Sequence, residues 1–182
     1  MRNIRDSWIL EIFLSILDLI VILLLAAWLI GFRINVTPSL PEGIYLLSSE
    51  NIDRGDLVTF CLAADNSFSV LADERDFLAS GACKSGLRPL LKKLAGMPGD
   101  YLALAPEGIF LNGTLLDGTA RLEFDRRGRR LPPSLLNEGL IPDGYGLVLS
   151  QDHAGSFDSR YFGLAPIADL KKVRPIWTVN RD

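Results

Sequence analysis

The sequence holds a single histidine, two cysteines and no surplus of basic residues, and each shortage closes off a class of chemistry. Nineteen Lys and Arg against 22 Asp and Glu leave a net charge of −3, which provides no basic footprint for nucleic acid. Two thiols without clustered histidines make a poor metal site, and neither a metal nor a cofactor is expected. His153 is the one imidazole from which a Ser-His arrangement could be built. No internal repeat or low-complexity tract interrupts the 182 residues, a length that suits one domain of about 150 residues plus an appendage.

What the chain has in excess is apolar residues near its start. The hydrophobic fraction is 48%, and the surplus sits between Trp8 and Phe32. From Ile12 to Phe32 only Ser15, Asp18 and Gly31 break the apolar run, a length matched to one crossing of a ~30 Å hydrocarbon core. Arg2 and Arg5 precede it, whereas Arg33 is the only basic residue close behind. That bias predicts a cytoplasmic N-terminus and an exported remainder. A cleavable signal peptide is the alternative, but its apolar region is normally shorter and ends in a small-x-small site. Ala26 and Ala27 are adjacent and Trp28 follows them, so an uncleaved anchor is expected. The chain then divides into an anchor segment, 1–33, and an exported domain, 34–182. Glu11, Ser15 and Asp18 share one helical face, either as a headgroup-level polar stripe or as a contact with another helix.

Behind the anchor the periodic segments read as strands, and the exported domain is predicted to be mainly β. Ile44 to Leu47, Asp56 to Phe60, Arg88 to Ala95, Tyr101 to Ala105, Gly108 to Leu116, Tyr145 to Ser150 and Val173 to Val179 fit the pattern. Asn112-Gly113 marks a two-residue hairpin inside the fifth of these. Helical patterns are brief: Asp73 to Ala79, and Ser134 to Glu138. In an oxidising compartment Cys61 and Cys83 favour a bridge over two unpaired core thiols. The run Arg126-Arg127-Gly128-Arg129-Arg130 reads as a solvated loop, or as a contact for anionic headgroups or an acidic partner segment.

The segment Asn35 to Tyr45 holds Ser39 between two prolines. Pro38 and Pro41 fix φ on either side, and Gly43 is expected to turn the backbone ahead of the next strand. A hydroxyl on so rigid a corner is either turn punctuation or a nucleophile in need of a base. His153, near Asp152 and Asp158, is one candidate base. The other lies in Leu90-Leu91-Lys92-Lys93-Leu94-Ala95, where strand alternation groups Lys92 with Leu90 and Leu94. A lysine on the buried face is desolvated and loses its proton more readily; on an exposed edge it merely discourages aggregation. The pattern alone leaves both open.

Four segments in order resemble the bacterial signal peptidase I family of Ser/Lys membrane proteases. Thr37-Pro38-Ser39-Leu40-Pro41-Glu42-Gly43 is similar to the nucleophile box, and Arg54-Gly55-Asp56-Leu57-Val58-Thr59-Phe60 to the strand after it. Lys92-Lys93-Leu94-Ala95-Gly96-Met97-Pro98-Gly99-Asp100 resembles the lysine box, and Ser156-Phe157-Asp158-Ser159-Arg160-Tyr161-Phe162-Gly163 the last one. The resemblance implies a signal-peptidase-like β domain with Ser39 as nucleophile and Lys92 as general base. It further implies an oxyanion hole from the Ser39 N–H and the Thr37 hydroxyl, with Ser156 orienting the lysine and Asp158 and Arg160 forming a supporting pair. His153 has no part in that pattern.

Leu40 stands where housekeeping members have Met, and the last box lacks their fuller opening. With the compact length and single anchor, these features look more like the conjugative-transfer, TraF-type subgroup. The implied setting is the bacterial inner membrane with a periplasmic catalytic domain. The implied substrate is a membrane-held precursor, in that subgroup a pilin that some members close into a ring, beside other subunits of a transfer apparatus. A general signal peptidase is the enzymatic alternative, and a catalytically silent scaffold the non-enzymatic one.

Overall fold

The computed structural model describes residues 4–179, with side chains from residue 8 onward. Arg2 and the side chain of Arg5, on which the expected orientation rests, lie outside the described residues. Helix α1 (Ile4–Ile30) contains the apolar run, and its stretch Trp8–Ile30 is long and apolar enough to cross a membrane. Among the described residues none of its side chains from Trp8 to Ile30 is buried, and Leu24, Leu25 and Leu29 are all exposed. Such a helix is a membrane anchor or a signal sequence.

The rest is mostly β. In chain order the strands are β1 (Phe32–Asn35), β2 (Glu42–Leu47), β3 (Leu57–Phe60), β4 (Leu90–Gly96), β5 (Tyr101–Ala105) and β6 (Gly108–Leu111). They continue with β7 (Thr114–Leu116), β8 (Gly139–Leu140), β9 (Tyr145–Leu149), β10 (Ala165–Pro166) and β11 (Lys171–Val179). Seven form one sheet in the order β1-β2-β11-β3-β4-β9-β10, and four form another, β7-β6-β5-β8. Asn112, at φ +52°, and Gly113 make the turn between β6 and β7, as the Asn-Gly pair predicts. The two cores meet at β9. Val148 packs with Val58, Phe60, Leu90, Leu94 and Phe162, while Leu147 and Leu149 pack with Leu102, Ile109 and Ile141. A strand buried on both faces fixes the register of its neighbour β4, which carries Lys92.

Three local expectations are corrected. The helix expected over Asp73 to Ala79 is α2 (Ser67–Glu74), because the Asn66 side chain caps it by accepting the Phe68 N–H. Asp76, at φ +58°, lies just past its end. Ser134 to Glu138 forms no helix: the Ser134 hydroxyl takes the Leu136 N–H, and Leu135 N donates to Tyr161 O. Gly43 does not turn the chain ahead of β2 but lies within it. A Cβ there would fall 2.1 Å from the Trp177 carbonyl oxygen of β11, so the glycine permits the close approach of two strands beside a bulge in β11.

Cys61 and Cys83 are joined in a disulfide that pins the segment carrying α2 beside β3 and β4. Arg54 and Asp100, from two of the motif segments, pair at 2.7 Å, and Asp100 also accepts the Met97 N–H and the Asn112 amide. Their place in the motifs is thus architectural, tying the turn before β3 to the turn after β4. Replacing both cysteines by Ala is expected to lower unfolding stability by about 3 kcal/mol, measured by denaturant titration of the detergent-solubilised chain. An unchanged midpoint would mean that the bridged segment is held by packing alone.

Candidate active site

Strand β1 leaves α1 through Gly31, and the Arg33 guanidinium donates to the Trp28 and Phe32 carbonyls across that junction. The chain then enters the loop that carries Ser39, and one buried side chain shapes it. The Asn35 amide donates to the carbonyls of Thr37, Leu40 and Pro41 at 3.0–3.1 Å. Its Oδ1 accepts the Thr37 N–H at 3.1 Å and the Thr37 hydroxyl at 2.7 Å. The Tyr45 hydroxyl, from β2, adds a bond to Pro41 O at 2.6 Å. Between the two prolines the Ser39 hydroxyl is left facing a cleft of about 510 Å3, which Lys92 also lines.

Lys92 is on the buried face of β4, with Leu90 and Leu94; Lys93 points the other way and is exposed. Only 2% of Lys92 is accessible. Its Nζ donates to Ser156 Oγ at 2.7 Å and to Ser150 Oγ at 3.2 Å. Ser156 Oγ in turn lies 3.4 Å from Ser39 Oγ. No direct bond joins Ser39 to Lys92 among the described residues; Ser156 stands between them. Burial is the main influence on the lysine and lowers its pKa from 10.5 to about 8. The Asp158 carboxylate opposes that shift and the Arg160 guanidinium adds to it.

Asp158 and Arg160 form a fork-on-fork pair, Nε to Oδ1 and an Nη to Oδ2, both at 2.8 Å, with 0% and 2% of the residues exposed. Asp158 also accepts the Ser150 N–H and caps helix α3 (Ser159–Phe162). Arg160 donates to the carbonyls of Gly118, Ala154, His153 and Ser156. The two hydroxyls around Lys92 are therefore carried on backbone that this one pair fastens.

The remaining expected site residues fall out as follows. Thr37 sits beside Ser39, but its hydroxyl is donated to Asn35 Oδ1, so lending it to an oxyanion would require it to turn away. Among the described residues no acceptor takes the Ser39 N–H. The His153 imidazole faces Arg126 at 3.3 Å, and no hydrogen bond ties it to Ser39, Asp152 or Asp158 among the described residues, so a triad is not assembled. Two contributors were not singled out from the sequence. Asn35, two residues before Thr37, fits an Asx turn. Ser150 depends on the register of β9 against β4, for which the sequence has no local signal.

The Asn35 network has a measurable consequence. Asn35→Ala orphans several buried groups at about 1–3 kcal/mol each, so amide exchange across Thr37 to Gly43 should accelerate at least about tenfold by mass spectrometry. Asn35→Asp, which turns three donated bonds into repulsions, should accelerate it further. Exchange at the wild-type rate in both variants would show that the prolines alone hold the loop.

A signal peptidase, peptidase S26, family model matches residues 5–176 of this chain. The chain is 36% identical over 159 residues, 86% of its length and 89% of the relative's, to a plasmid transfer protein TraF of Escherichia coli. It is 34% identical over 153 residues, 82% and 84% of the two lengths, to a conjugal transfer protein TraF of Agrobacterium fabrum. Among solved structures, a signal peptidase I from Enterococcus faecalis V583 aligns at a TM-score of 0.40 with 19% identity, over 70% of this chain and 99% of that one. With a family model spanning nearly its whole length, this chain belongs to the signal peptidase family, peptidase S26.

Proposed function

We propose that the protein is a membrane-anchored serine endopeptidase in which Ser39 is the nucleophile and Lys92 the general base. The observation that carries this reading is the buried Lys92 amine, sharing Ser156 with Ser39 in a cleft of a peptidase-family chain. Near pH 8 about half of a lysine with that pKa is neutral, so its lone pair can receive a proton. Ser39 Oγ attacks the peptide carbonyl and its proton passes to Lys92, directly or through Ser156. The Ser39 N–H meets the developing oxyanion. The Lys92 ammonium then protonates the leaving amine, and an ester on Ser39 remains. Water resolves it to an acid; an incoming amine resolves it to a new peptide bond.

The substrate proposed is an exported precursor held at the membrane, such as a pilin precursor, and the names of the TraF relatives, plasmid and conjugal transfer proteins, favour a role in conjugal transfer. Ser39 follows the end of α1 at Ile30 so closely that it stays within about 30 Å of the span. The uncleaved anchor, cytoplasmic N-terminus and periplasmic catalytic domain over 34–182 belong to the same reading.

Ser39→Ala and Lys92→Ala should each reduce processing of a co-expressed candidate pilin by at least about 10⁴-fold while the protein stays in the membrane fraction. Wild-type rate should climb with pH through about 8, as the base loses its proton. Processing that persists in Lys92→Ala, or that is lost in His153→Ala, would contradict the dyad. In the mass spectrum, a product lighter by one water than the linear processed chain would report ring closure. Processing of many unrelated exported precursors would favour a general signal peptidase instead.

A further inference from the structure

The chain is acidic overall, at −3, yet the cleft holding Ser39 is not. Its lining includes six arginines, at 33, 75, 88, 126, 127 and 129, against only Asp76 and Asp125. Setting Lys92 aside, that is an excess of four positive charges. Three of the six are committed to the fold. Arg75 and Arg129 share the Asp125 carboxylate at 3.5 and 2.7 Å, and Arg33 is spent on backbone carbonyls and the Trp28 ring.

The other three are not. Arg88 is exposed and has no carboxylate partner among the described residues. Among the described residues Arg126 has no carboxylate partner and makes one hydrogen-bond contact, with the His153 ring. Arg127 reaches Asp76 at 3.3 Å, with the two side chains 65% and 73% exposed, a geometry worth little in water. The same cleft is also lined by Phe77, Leu122, Phe124 and Phe157. Apolar side chains lining the same cleft as guanidiniums that no buried carboxylate holds fit an extended peptide with both apolar and acidic side chains. Headgroups of a bilayer fit less well, because these arginines line one cleft with Ser39, Lys92 and several aromatic side chains.

We infer that Arg88, Arg126 and Arg127 are specificity-determining residues that select precursor segments bearing Asp or Glu beside the bond to be cleaved. The inference rests on the peptidase reading of Ser39, but recognition is measurable without cleavage. The full chain carrying Ser39→Ala, in phosphatidylcholine nanodiscs, is titrated into a fluorescein-labelled decapeptide of Ala, Ser and Leu with two Glu. A counterpart has two Gln in their place, and anisotropy reads binding. At about 50 mM salt the Glu peptide should bind about tenfold more tightly, with the difference shrinking several-fold at about 0.5 M.

Arg126→Gln combined with Arg127→Gln should remove most of that preference while the Gln peptide binds as before. Both side chains are exposed, and a matching circular dichroism melt checks the fold. In Arg126→Glu with Arg127→Glu the preference should invert towards a two-Lys peptide. Equal binding of the Glu and Gln peptides by the parent chain would overturn the inference, as would a preference that survives both double variants. Loss of the preference when phosphatidylglycerol is added to the nanodiscs would overturn it too, assigning the arginines to headgroups. If the preference holds but the wild-type chain cleaves no precursor, acidic recognition stands and only the peptidase reading falls.

Discussion

The Asp158–Arg160 pair has almost no contact with water, and the geometry around Lys92 depends on it. Its carboxylate holds the end of β9 through the Ser150 N–H, and its guanidinium gathers the carbonyls of the loop from Ser150 to Ser156. Buried ion pairs seldom add net stability, since desolvation offsets most of the attraction, but removing one partner costs about 3–5 kcal/mol. What the pair supplies here is position. Without it neither Ser150 nor Ser156 would have a fixed place beside the lysine amine. The same pair also bears on the amine electrostatically, with Asp158 raising its pKa and Arg160 lowering it.

Holding a lysine in this setting opposes folding. With its pKa moved from 10.5 to about 8, the unfolded chain binds more protons between those values, so stability from this group rises with pH across that window. Near neutrality the burden is on the order of 3 kcal/mol. Two cores meeting at β9 and a disulfide beside β4 belong to the framework that sustains it. The nucleophile's side is built with a different economy. One asparagine and two prolines restrict a short loop, so the Ser39 hydroxyl is presented without any strand of its own.

Much of this was legible in the sequence, and particular residues show where legibility stops. Alternation along Leu90 to Ala95 puts Lys92 with two leucines, but the groups that meet its amine, the Ser150 and Ser156 hydroxyls, come from more than fifty residues away. Apolar segments such as Tyr101 to Ala105, and the Asn-Gly turn, were plain because their signals are local. The helix over Asp73 to Ala79 was misplaced because a cap at Asn66 and a left-handed residue at Asp76 outweigh periodicity. Gly43 looked like a turn residue because the neighbour that requires it, the Trp177 carbonyl, comes from the last strand. The arginine run gave no hint of which cleft it would line.

The central claim, that this fold keeps one lysine buried and readily neutral beside a serine, can be read without any substrate. The protein is labelled with ¹³C at lysine Cε and titrated by NMR in detergent micelles, with Lys92→Met identifying the Lys92 signal. One lysine should titrate near 8, well apart from the others, whose ordinary value is about 10.4. A Lys92 resonance that titrates with the rest would contradict it.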